Sequence, residues 1–169
     1  DASQYALDQY VMGGGKLIAF LDASSQVDSR GQNPMMGQMP AGGSSLDKLL
    51  KAWGLQFDTG KVVADRNLTM NLGGDEDPSQ RRPVWLALTP EEINSNDIAT
   101  AELENVWYFS GGAFTGTPAA GLTETVLLKS TTDSQLVDGM LANVSGDNIL
   151  KDFKPSGTAY ALAVRLNGK

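Results

Sequence analysis

Two hydrophobic periods alternate along the first third of the chain. Leu7, Tyr10 and Val11 fall at i, i+3 and i+4, the stripe of a short amphipathic helix. KLIAFL at 16–21 is continuously apolar, too short for a surface helix, and closed by Asp22. Such a run predicts a strand buried on both faces, as in a parallel sheet. Between them stand Gly13, Gly14 and Gly15, with Gly13 placed for the left-handed helix cap and the other two turning the chain into the sheet. Ser3 is a candidate N-cap for the first helix. In a second helix, Leu46, Leu49, Leu50 and Trp53 follow i, i+3, i+4 and i+7 behind Ser44 or Ser45 as cap, and Gly54 ends it.

Strand pieces at 55–57 and 61–64 flank a DTG turn at 58–60, and PVWLAL at 83–88 reads as another buried strand. TPEE at 89–92 opens a helix or a single helical turn, with a capping Thr, Pro at the first helical position and acids in the first turn. VWYF at 106–109, TVLL at 125–128 and YALAVRL at 160–166 are further strands. Residues 23–43 form a polar, Gly/Met/Pro-rich connection longer than compact domains use, in which Met35, Met36 and Met39 make an adaptable patch or pin the loop to the core. Helices alternating with apolar strands predict an α/β fold with a mostly parallel sheet, mixed in its strand-rich second half and flanked by helices. With 169 residues, 41% hydrophobic, and no internal repeat, one domain over 1–169 is expected.

The chain has no cysteine and no histidine. Thiolate nucleophiles, Ser-His-Asp triads, Cys/His zinc sites and CxxC redox pairs therefore lack their reacting atoms, leaving carboxylate, lysine, tyrosine and hydroxyl chemistry. A net charge of −7 with scattered basic residues argues against nucleic acid and anionic membrane surfaces as partners. No apolar run approaches the roughly 18 residues of a membrane span. GGGK at 13–16 is not a phosphate-binding loop, because it runs from helix to strand whereas that loop runs from strand to helix N-terminus.

In open α/β sheets ligands settle outside the carboxyl ends of strands, which makes Asp22 the leading ligand-binding candidate. Thr89, Ser130, Thr131 and Thr132 follow other strands and could line the same crevice. Against this, Asp22 can cap the following loop, and the hydroxyls can cap helices or form turns. Asp75, Glu76 and Asp77 lack the spacing of a calcium loop and read as a solvated acidic loop. Asn67-Leu-Thr69 and Asn143-Val-Ser145 match short glycosylation patterns. Trp53, Trp85 and Trp107 are expected in the core rather than as a carbohydrate or base platform. No catalytic group, metal site or cofactor is indicated.

The strings ALDQYVMGGGKLIAFLD, LDKLLKAWGLQF, TVLLKSTTDS and YALAVRLNGK together resemble the extracytoplasmic domain of gliding-motility-type auxiliary components of ABC transporters, over almost the whole chain. The resemblance implies a Rossmann-like fold similar to class I glutamine amidotransferases, here without their catalytic Cys and His, and an excised fragment whose upstream strand is absent. It also implies a bacterial protein on the periplasmic side of the inner membrane, tethered by helices outside this chain. Its implied partners are the membrane and ATPase subunits of the same transporter. The function expected is thus a non-catalytic interaction domain. The alternative is a carboxylate-dependent enzyme acting on a glycan or small molecule, motivated by the long loop after Asp22 and the acidic surplus.

Overall fold

The computed structural model describes residues 2–24, 43–72, 81–139 and 146–168. Met35, Met36 and Met39, the acidic cluster at 75–77 and the pattern at 143–145 lie outside them. Three helices occur among the described residues: α1 (Ala2–Met12), α2 (Asp47–Ala52) and α3 (Gly146–Lys151). The strands are β1 (Leu55–Phe57), β2 (Lys61–Asp65), β3 (Thr69–Asn71), β4 (Arg81–Leu88), β5 (Val106–Phe109), β6 (Phe114–Gly116), β7 (Leu122–Lys129), β8 (Ser134–Asp138) and β9 (Ala161–Gly168). They form sheets of order β1-β6-β9-β7, β2-β8 and β3-β4-β5.

Every strand pairing is antiparallel, which overturns the mostly parallel, Rossmann-like, glutamine-amidotransferase-like α/β fold. The reason is visible in β2. Its apolar run is continuous because Val62 and Ala64 enter one core cluster while Val63 enters the other. Burial on both faces therefore comes from its place between two cores, with no parallel neighbour. β4 also contributes to both clusters, with Val84 in the first and Leu86 and Leu88 in the second, but these alternate with half-buried Trp85 and Ala87 in the pattern of a strand buried mainly on one face. Among the described residues, the helices that follow the first predicted strand are too short to cross between parallel strands, α2 and α3 having 6 residues each.

The first predicted strand is not one. Among the described residues, 16–21 join no strand pairing, Ile18 is 83% and Phe20 92% exposed, and only Leu21 packs against the core. The helix before them is present, although Ser3 lies inside it rather than at its cap and none of its residues is buried. It rests on α2 partly through polar contacts: Trp53 Nε1 donates to Asp8 Oδ1 at 3.3 Å, and Leu49 N donates to Gln4 Oε1 at 3.2 Å. Neither Ser44 nor Ser45 caps α2, whose N-cap is Leu46 without a side-chain bond. Ser44 Oγ instead accepts from Asp22 N at 2.9 Å. Leu49 and Leu50 are buried as expected, and Gly54 ends the helix at φ 82°.

At the end of α1 the left-handed residue is Gly14, φ 90°, not Gly13. Gly15 N donates to Tyr10 O and Gly14 N to Val11 O, both at 2.9 Å, the paired bonds of a Schellman cap. Gly14→Ala is therefore expected to cost about 1 kcal/mol of local helix stability, and Gly13→Ala within about 0.5 kcal/mol of nothing. Amide hydrogen exchange of the last turn of α1 measures both, since this exposed helix frays without global unfolding. Equal effects at the two positions would contradict the assignment.

Candidate functional site

The segment KSTTDS joins β7 to β8 and builds a buried polar hub around Asp65, the last residue of β2. Asp65 pairs with Ser134 across the ladder and is fully buried. Its Oδ2 accepts from Thr131 N at 2.7 Å, and its Oδ1 accepts from Thr131 Oγ1 at 3.0 Å, Asn67 N at 2.9 Å and Leu68 N at 3.2 Å. Four donors converge on one carboxylate, which offsets its desolvation. Beside it, Ser130 Oγ accepts from Tyr160 N at 2.8 Å and lies 2.8 Å from Ser134 Oγ, tying the loop to the entry of β9. Arg66 makes a bidentate pair with Asp133 at 2.9 and 2.8 Å, its guanidinium 5.1 Å from the Phe153 ring centre.

Ser130 and Thr131, both expected at a ligand site, thus use their hydroxyls on the protein itself. The same holds for Thr89, whose N and Oγ1 donate to Glu92 Oε2 at 3.1 and 2.8 Å around a single helical turn. Asp22 Oδ1 accepts from Ser24 N at 3.1 Å, and its main chain bridges to Ser44. Burial, and after it the charge of Asp22, pushes the Tyr108 phenol pKa well above its ordinary value. No hydrogen bond or ion pair among the described residues joins Asp22 or Thr89 to Ser130 or Thr131. The crevice argument that grouped them requires carboxyl ends of parallel strands, which this topology does not supply.

The buried carboxylates are likewise engaged one by one: Asp65 as above, Glu92 in its turn, and Asp97 with Arg165 NH2 at 2.7 Å. Ser110 is buried at φ 46°, and among the described residues its hydroxyl has no hydrogen-bond partner. Among the described residues no three carboxylates are placed to hold a metal ion. A half-open depression of about 390 Å³ between α2 and β1 is lined by Leu50, Leu55 and Phe57 with Asp47, Lys51 and Asp58.

Several large apolar side chains stand outward. Trp107, expected in the core, is 65% exposed on β5, with Phe109 beside it at 6.2 Å between ring centres. Phe109 in turn meets the half-buried Trp85 of β4 edge to face at 5.2 Å. VWYF is apolar at every position, so the sequence carries no signal separating inward Val106 and Tyr108 from outward Trp107 and Phe109. Among the described residues β5 pairs with β4 alone, at the end of its sheet.

These features define a mainly antiparallel β protein whose polar candidates serve its own architecture and whose unsatisfied surface is apolar. The chain belongs to the family described as ABC-type uncharacterized transport system, whose model matches residues 1–169. That family gives it a transport-associated role. No curated protein and no solved structure matches the chain.

Proposed function

We infer that the chain is a non-catalytic interaction domain of a membrane-anchored ABC-transporter auxiliary protein, held on the periplasmic face of a bacterial inner membrane. Its partners are the membrane and ATPase subunits of the same system. One observation supports this beyond the family: Asp22, Thr89, Ser130 and Thr131 are each bonded within the protein, whereas Trp107 and Phe109 are presented to solvent. The periplasmic placement and a gliding-motility type of transporter rest on the sequence resemblance.

Affinity purification of the tagged parent protein from its host membranes is the test. The permease and ATPase encoded beside it are expected to co-purify, and the domain to be digested by protease added to spheroplasts. Recovery of the protein alone, or protection from that protease, would contradict the reading.

A further inference from the structure

β4 and β5 are paired up to Leu88 and Val106, yet the chain between them does not turn tightly. Residues 89–105 leave their own sheet and reach β7, whose one strand neighbour among the described residues is β9. Ile93 bridges to Leu128, Lys129 N donates to Glu92 O at 3.1 Å, and Asn94 N donates to Leu127 O at 2.9 Å. Asn94 Nδ2 adds a bond to Val126 O at 3.0 Å. The connection thus covers part of the outer edge of β7, and covering is one of the ways in which native sheets keep an edge from pairing with another chain.

Its two parts are held by different forces. Ile93 is buried in the second core cluster, against which Leu128 packs. From Asn94 to Asn105 no apolar side chain is buried: Ile98 is 92% and Leu103 42% exposed, and Ala99 and Ala101 are exposed as well. The buried residues there, Asp97 and Thr100, are polar. Thr100 Oγ1 donates to Asn94 O at 2.6 Å, and Thr100 N and Ala101 N donate to Asp97 O at 3.0 and 2.8 Å, bonds that lie inside the segment and move with it. Beyond Asn94, its polar tie to the rest of the molecule among the described residues is Asp97 with Arg165 of β9, NH1 to Oδ1 at 2.9 Å and NH2 to Oδ2 at 2.7 Å. Arg165 Nε is buried without a partner there, so the guanidinium is committed to Asp97 alone. Lifting the segment returns both ions to water, which offsets much of the attraction lost. A segment with its own internal bonds, no buried apolar side chain and one ionic tie has the makeup of a unit that opens locally.

We propose that residues 94–105 form a strap, latched by Asp97 on Arg165, that opens as a unit between Ile93 and Val106 while both sheets stay folded. Closed, it occupies the Val126 and Leu127 carbonyls. Open, it leaves them free, and β7 presents main-chain acceptors along that part of its edge. The strength of the latch therefore sets how often the edge is uncovered. This inference goes beyond the transport role and does not depend on it, so a strap that never opens locally would defeat it and leave that role intact.

Native-state amide hydrogen exchange of the 169-residue chain, followed by NMR through a series of low urea concentrations, is the test. The amides of Asn94, Thr100 and Ala101 report on the strap, and those of Val63 and Thr131, bonded to Gly111 O and Asp65 Oδ2, report on global unfolding. The strap amides are expected to share one protection factor, about 100-fold or more below that of Val63 and Thr131, and to be nearly insensitive to urea because opening exposes little surface. Arg165→Gln is expected to speed all three strap amides together by about tenfold. Asp97→Asn keeps the oxygen that accepts from Ala99 N and is expected to act in the same direction by less, which supplies a second latch variant should the first not fold. Glu102→Gln, exposed on the strap, is the neutral control. Strap amides whose exchange rises with urea in step with Val63 would show opening only with the whole protein and would overturn the proposal. So would strap amides indifferent to both latch variants, since some other contact would then hold the segment.

Discussion

Asp65→Ala is expected to lower stability by about 3 to 5 kcal/mol, a fall in melting temperature on the order of 10 °C for a chain of this size. The substitution removes a fully buried acceptor and leaves the donors of Asn67, Leu68 and Thr131, the Leu68 amide among them buried, without their partner. Asp65→Asn separates charge from geometry. An amide oxygen at the Oδ1 position keeps three of the four donors, but its NH₂ then opposes Thr131 N–H, so a loss of about 1 to 3 kcal/mol is expected. Urea unfolding of the two variants measures both values. A loss below about 0.5 kcal/mol for Asp65→Ala would mean that the hub is not a structural knot, and would return Asp65 and Thr131 to consideration as a ligand site.

Gly54→Ala is expected to be comparably severe, at about 3 kcal/mol or more. At φ 82° a side chain is strained, and a Cβ would also overlap the Thr117 carbonyl oxygen and come within 2.6 Å of Ala119 N. Those neighbours cannot yield cheaply. Thr117 N donates to Gly54 O at 3.0 Å and Ala119 N to Trp53 O at 2.9 Å, stitching the end of α2 to the strand exit of β6. Gly121→Ala is the control, since Gly121 has φ 89° with open space around its Cβ position, and only about 1 kcal/mol should be lost there. Similar losses at both sites would show that backbone strain alone, without the close crossing, accounts for Gly54.

The hub also explains part of the resemblance. STTDS reads in sequence as a turn of interchangeable hydroxyls, and its composition does place a turn there. What it binds depends on Asp65, 66 residues away from Thr131, and no local pattern reports that pairing. Asp22 and Thr89 differ: their roles as turn and cap were legible as alternatives, because those bonds reach only 2 and 3 residues along the chain. The tie from Tyr160 N to Ser130 Oγ spans 30 residues and, like the Asp65 pairing, has no local signal.

The sequence by itself determined α1 and α2, the glycine punctuation at 13–15 and 54, most of the strands, and the absence of thiol and imidazole chemistry. Each rests on local periodicity, on backbone freedom or on simple inventory. Tertiary structure alone decided strand direction, the sharing of β2 and β4 between two cores, and the exposure of Trp107, Ile18 and Phe20. A continuous apolar run records how hydrophobic a segment is, but not which neighbour buries it or which way that neighbour runs. Ladder hydrogen bonds join main-chain groups common to every residue, so direction is set by how distant strands share a core, and a run left without a neighbour stays apolar in the open.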